Sequence, residues 1–182
     1  MSNKVIQKHM MNQGAKIYHE YALTYDLFSK AEDTPCHVAK YLSLELANKV
    51  VLDIGCGSGK YLNILAPVTK RYIGLDCSIE QISLAREKAI NHHNVSLIHN
   101  LAYDLNLPSR SIDAIIATWV IESIRNIHTQ EQVVNEMFRV LKLSGGIYVV
   151  ENAGNSEFDE IIRRDPDIST TKETRDWLIN QG

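Results

Sequence analysis

The stretch from Val50 to Tyr61, VVLDIGCGSGKY, constrains this chain more than any other. Its short, continuous apolar run reads as a strand buried on both faces. Glycines at 55, 57 and 59 follow at once, and a helix is expected to begin near Gly59. Glycines at such a turn let the backbone bend sharply and let a ligand approach without a Cβ in the way. A unit of this kind belongs to a sheet of parallel strands joined by crossover helices.

The rest of the chain follows that pattern. Lys49 to Ile54, Ser111 to Thr118 and Gly146 to Val150 read as buried parallel strands, and the weaker runs Arg71 to Leu75 and Val95 to His99 bring the number to five. Helix starts lie between them. Ser78 with Gln81 forms a capping-box pattern before Ile82, Leu84, Ala85 and Ala89, and Thr129 with Gln132 repeats it before Val133, Val134, Met137, Phe138 and Leu141. Gly145 and Gly146 are expected to break the chain before the fifth strand. Alternating strands and helices favour right-handed βαβ units, hence an α/β fold. The first forty-odd residues read as helical, with Ile17, Tyr18, Tyr21, Ala22, Tyr25 and Leu27 or Phe28 forming an aromatic stripe that packs on the core.

Length and composition support a single domain over residues 1–182. With 45% hydrophobic residues the chain can build one sizeable core. We divide it into a helical cover (1–47), a ligand-binding core (48–151) and C-terminal helices (152–182). A formal net charge of -3, with no basic block, argues against a nucleic-acid coat. Cys36, Cys56 and Cys77 lack the spacing of a structural zinc site and suggest a reducing compartment. No stretch approaches the roughly 18 apolar residues of a membrane span, so a soluble, cytoplasmic protein is expected.

The second strand ends at Asp76, about twenty residues beyond Gly55, where a doubly wound sheet sets a carboxylate beside the glycine turn. There it can accept hydrogen bonds from both ribose hydroxyls of an adenosine. Dinucleotide enzymes share this pair of features, but their fingerprint wants a small residue where this chain has Lys60. Asp53, just before the turn, suits a positively charged ligand better than a pyrophosphate. A nicotinamide-dependent oxidoreductase is therefore disfavoured.

Four motifs occur in order: VVLDIGCGSG, YIGLDCS, LNLPSRSIDAIIATWVIESI and RVLKLSGGIYVVE. Together they resemble the class I S-adenosylmethionine-dependent methyltransferases, especially the small-molecule branch that includes quinone-biosynthesis C-methyltransferases. The resemblance runs from Val50 to about Glu151, and TYDLFSK, Thr24 to Lys30, is similar to the N-terminal segment of that branch. It implies a Rossmann-like, doubly wound sheet of mainly parallel strands with helices on both faces. It also implies S-adenosyl-L-methionine as methyl donor, S-adenosyl-L-homocysteine as product and a small-molecule acceptor.

Carried over position by position, the resemblance sets Gly55, Cys56, Gly57 and Gly59 against the donor's methionine part, with Asp53 orienting its amino end. Asp76 would hold the ribose, Cys77 would lie against adenine, and Asn100, Leu101 and Ala102 would edge that ring. Thr118 and Trp119 would floor the site near the sulfonium. Each has a structural alternative: Asp53 as an acceptor for backbone N–H groups, Cys56 and Cys77 as spacers, Trp119 as core. Two features depart from the family. Leu101 stands where an acidic residue often meets the adenine amino group, with Asp104 displaced. After the helix expected from Thr170 and Glu173 through Trp177, Leu178 and Ile179, the chain stops at Gly182, where the family normally adds two strands. Either the sequence is shortened, or a partner such as a second copy covers the exposed sheet edge.

Methyl transfer from a sulfonium is an in-line displacement at an activated carbon and needs neither metal nor covalent nucleophile. Orientation of the acceptor can contribute roughly 7 to 11 kcal/mol. A base is needed only if the acceptor must lose a proton. Candidates are His19, Tyr18 and Tyr21 in the cover, and Glu122, His128 and Glu151 near the strand ends. The competing reading is a non-catalytic or truncated donor-binding module.

Overall fold

The computed structural model describes residues 16–32 and 36–151. Five strands form one sheet: β1 (Val50–Ile54), β2 (Arg71–Asp76), β3 (Val95–His99), β4 (Ile112–Thr118) and β5 (Leu141–Val150). Their order is β3-β2-β1-β4-β5 and every pairing is parallel. The helices are α1 (Lys16–Glu20), α2 (Ala22–Glu32), α3 (His37–Glu45), α4 (Leu62–Leu65), α5 (Ile79–Ala89) and α6 (Ile127–Val140). This is the Rossmann-like, doubly wound arrangement expected from the sequence. The switch in strand order falls between β1 and β4, where ligands of such sheets bind.

Successive residues of a strand face opposite sides, which explains why the central strands are apolar throughout. Leu52, Ile54, Ile115 and Ala117 pack with Val133, Met137 and Val140 of α6 on one face. Val51, Ala114, Ile116 and Tyr72 pack with Leu42, Leu46, Leu62 and Leu65 on the other. Two helical layers thus seal β1 and β4 on both sides and fix where the glycine turn emerges.

Three local expectations change. Helix α6 starts a turn earlier than the Thr129 pattern suggests, because Asn126 caps it by accepting from the Thr129 N–H at 3.1 Å; Phe138 then points outward, 58% exposed. Strand β5 begins at Leu141 and runs through Gly145 and Gly146 rather than starting after them. Its register slips, since Ile112 pairs with Leu141 but Ala114 with Gly146. A Cβ on Gly145 would lie 2.6 Å from the Leu141 side chain and 3.0 Å from the Asp113 carbonyl, so close approach requires the glycine there. The aromatic stripe divides. Ala22 is buried and Tyr18 and Tyr25 are half-buried and in edge contact at 4.6 Å, whereas Tyr21 and Leu27 are exposed. The side chains of Ile17 and Phe28, and the whole helix expected over Thr170 to Ile179, lie outside the described residues. No helix among the described residues is long and apolar enough to cross a membrane.

Candidate donor-binding cleft

The turn after β1 is held by the neighbouring strand. The N–H groups of Gly55 and Cys56 both donate to the Leu75 carbonyl, at 2.8 and 3.0 Å. Gly55 and Gly57 adopt left-handed φ values of 69° and 53°. A Cβ on Gly55 would come within 2.4 Å of Val120 Cγ2, whereas one on Gly57 would meet nothing closer than 3.8 Å. The backbone at Gly57 therefore faces open space at the head of the sheet.

Asp76 fastens this turn to the next helix. Its Oδ2 accepts from the Gly57 N–H and its Oδ1 from the Ser78 N–H, both at 2.8 Å. Ser78 caps α5 by accepting from the Gln81 N–H at 3.2 Å. Burial raises the Asp76 carboxyl above its usual pKa, against the pull of the two N–H donors. Each oxygen keeps acceptor capacity beyond its one backbone bond.

Asp53, just inside the end of β1, is 3% exposed. Tyr72 donates its hydroxyl to Asp53 Oδ2, while Oδ1 is buried with no hydrogen-bond partner. Desolvation pushes this carboxyl up to about 7; Tyr72 works against that shift and Asp76 adds to it. Asp53 lines a cleft together with Gly55, Cys56, Gly57, Lys60, Thr118 and Trp119, and Tyr25 and Ser29 of α2 close it from above. Burial holds the Cys56 thiol well above its usual pKa, so it sits there as a neutral spacer rather than a nucleophile.

The cover is tied to the turn by polar contacts. Ser58, two residues before Lys60, donates to Asp26 of α2, and Lys88 of α5 reaches Asp26 Oδ1 at 2.8 Å and Ser58 Oγ at 3.2 Å. Ser78 Oγ also donates to the Tyr18 carbonyl at 3.0 Å. At the far wall, Trp119 leaves β4 with a left-handed φ of 53°. Its N–H donates to the Val150 carbonyl at 2.7 Å, and the Lys60 ammonium stands 4.1 Å from its ring centroid. A non-glycine residue held in that conformation stores strain that only a well-determined surrounding sustains.

The structure thus gathers Asp53, Gly55, Cys56, Gly57, Thr118 and Trp119 around one cleft. Gly59 lies behind it, packed on Leu62 and Ala85. Asp76 sits under the turn. Cys77 is exposed just past β2, and Leu101 and Ala102 are half-buried in the loop after β3, outside the cleft lining. The Asn100 N–H donates to the Asp76 carbonyl at 3.1 Å, which keeps that loop beside the turn.

The base candidates do not gather there. His19 pairs with Glu80 at 2.8 Å, His128 pairs with Glu131 at 3.3 Å on an exposed helix face, and Tyr21 points outward. Tyr18 is turned to Tyr25 and α5. Glu151 accepts from the Ile121 N–H at 2.8 Å; burial, then the nearby Glu122, pushes its carboxyl up to about 7. By taking that backbone N–H, Glu151 braces the loop after β4. Sequence reasoning missed Tyr72, Asp26 and Ser58. Only the strand register, with Val51 opposite Tyr72 and Asp53 opposite Gly74, reveals that Tyr72 lies on the face of Asp53.

Comparison with known proteins agrees with this geometry. Residues 52–150 match the family model of a methyltransferase domain. The chain is 33% identical over 121 residues to a probable S-adenosylmethionine-dependent methyltransferase of Mycolicibacterium smegmatis, covering 66% of this chain and 44% of that protein. It is 28% identical over 149 residues to a demethylmenaquinone methyltransferase of Listeria welshimeri, covering 76% and 61%. The chain therefore spans about half the length of the curated relatives it matches. A SAM-dependent methyltransferase of Aquifex aeolicus shares the fold, with a TM-score of 0.59 at 19% identity over 78% of this chain and 86% of that one. From the glycine turn, its two carboxylates and the family match across the sheet, the chain belongs to the S-adenosylmethionine-dependent methyltransferases.

Proposed function

We propose that this protein moves a methyl group from S-adenosylmethionine to a small-molecule acceptor by in-line displacement. The observation that carries this reading is the buried, unpartnered Oδ1 of Asp53, a residue that lines a glycine-rich cleft. An orphaned buried acceptor is costly, and a ligand ammonium would satisfy it. The donor, when bound, supplies a methyl group already activated by its sulfonium. Gly55, Cys56, Gly57 and Gly59 shape the turn that would receive the methionine part, with Asp53 taking its ammonium. Asp76 has the remaining lone pairs to accept from ribose hydroxyls, and Cys77, Leu101 and Ala102 border the position proposed for adenine. Thr118 and Trp119 form the wall on the acceptor side, where Tyr25 and Ser29 shield the cleft from water.

Calorimetric titration with S-adenosylmethionine and S-adenosylhomocysteine tests this directly: micromolar-range binding is expected, and no heat with either ligand removes the proposal. Asp76→Ala is expected to weaken binding at least about tenfold, or about 1.4 kcal/mol. None of His19, Tyr21 and His128 reaches the cleft, which favours as second reading a module that binds donor without turnover. Donor affinity with no methyl transfer across a panel of phenols, amines and carboxylates identifies that case. A cytoplasmic location is part of the proposal, supported by the free thiols of Cys56 and Cys77. So is a homodimer formed along the β5 edge, which light scattering of the purified protein tests.

A further inference from the structure

Tyr72 has the largest fully buried side chain of the described residues, and its hydroxyl is committed to a single carboxylate oxygen. Burial holds that phenol well above its ordinary pKa, so Tyr72 remains a donor at every working pH. It therefore fixes which oxygen of the cleft-lining Asp53 is occupied and which is left without a partner. The groups acting on Asp53 are Tyr72 and Asp76 from β2 and Cys56 from the turn, while Lys60, Tyr61 and, from α2, Tyr25 line the same cleft. Asp76 repels a second negative charge, and Cys56 and Tyr72 are neutral. In the free protein the favoured state for a buried carboxyl with one unpartnered oxygen is to carry a proton, in keeping with its pKa of about 7.

Resting on the proposed function, we propose that Tyr72 is a positioning residue of the donor site: it pins the Asp53 carboxyl so that the free oxygen meets the donor's ammonium, and binding expels the carboxyl proton to solvent. The exchange balances. A neutral carboxyl and an ammonium become a carboxylate paired with that ammonium, and the released proton passes to buffer. Affinity for the donor then rises with pH until Asp53 is ionised in the free protein, and levels off above that point.

The test is titration of the full chain with S-adenosylhomocysteine at pH 6.5 in phosphate and in imidazole buffer, whose protonation enthalpies differ. The difference in apparent enthalpy is expected to correspond to about 0.8 proton released, and affinity to rise about eightfold from pH 6 to 7.5. Tyr72→Phe should move the midpoint of that pH profile upward by about one unit, because the donor that favours the charged carboxyl is gone. Asp53→Asn should release no proton and show a flat profile over this range, which keeps the test informative if Tyr72→Phe does not fold. Equal enthalpies in the two buffers, an unmoved midpoint in Tyr72→Phe, or proton release persisting in Asp53→Asn overturns the inference while leaving the donor site intact. No binding at any pH takes down the donor site itself and the inference with it.

Discussion

Gly55 and Gly57 adopt similar backbone conformations for different reasons, and substitution separates them. At Gly55 a methyl group would collide with Val120 and hold a strained φ, so Gly55→Ala is expected to cost about 2 to 5 kcal/mol in urea unfolding. That is a large share of the roughly 5 to 15 kcal/mol that holds a domain together. At Gly57 only the backbone strain remains, about 1 to 2 kcal/mol, because the space above is open. Gly57→Ala should therefore fold, yet lose at least about tenfold in S-adenosylhomocysteine affinity, since its methyl group would occupy the cleft that Gly57 lines. A Gly57→Ala protein binding as tightly as the parent contradicts the cleft assignment.

At the scale of elements, two helices are fastened by identifiable side chains. Asn126 caps α6, and Asn126→Ala should lower stability by about 1 kcal/mol in thermal melts without changing donor affinity, since α6 lies on the sheet face away from Asp53. Helix α2 is held over the cleft by Asp26 through Ser58 and Lys88. Asp26→Ala should leave the melting of the sheet nearly unchanged while amide exchange in residues 22–32 accelerates, because among the described side chains of that helix Leu23 and Leu27 are exposed and the only buried apolar one is the small Ala22. Protection in α2 equal to that of the parent would show that apolar contacts, not this polar latch, hold the cover.

For the molecule as a whole, the buried carboxyls set the pH response. Asp53 and Glu151 titrate near 7 in the fold but near 4 when unfolded. The unfolded chain thus loses these protons first, and the stability they contribute is complete at low pH and lost as pH rises through about 7. Asp113 and Glu136 behave oppositely, being held below their usual range by Lys142 and Arg139, so they destabilise the fold only as pH drops below about 4. The ligand-free protein is expected to melt highest near pH 5 and progressively lower toward pH 8 by differential scanning fluorimetry. Saturating S-adenosylhomocysteine should recover part of the loss at pH 8, because the ligand ammonium neutralises Asp53. A melting temperature that rises from pH 5 to 8 without ligand contradicts the assignment of Asp53 and Glu151.

Sequence alone determined the alternation of strands and helices, the glycine turn and the carboxylate at the end of β2. These follow from local rules: continuous apolar runs for strands buried on both faces, glycine where the backbone turns left-handed, and a short polar side chain before a helix. It misplaced the start of α6 and the extent of β5, because Asn126 competed with Thr129 as a cap and a register slip absorbed Gly145. Tertiary structure decided which polar groups meet. Tyr72 and Asp53 stand on different strands, Asp26 and Ser58 on different layers, and His19 and His128 turn to partners away from the cleft. Periodicity says which face of an element is buried; only the register and crossing of those elements say what that face is buried against.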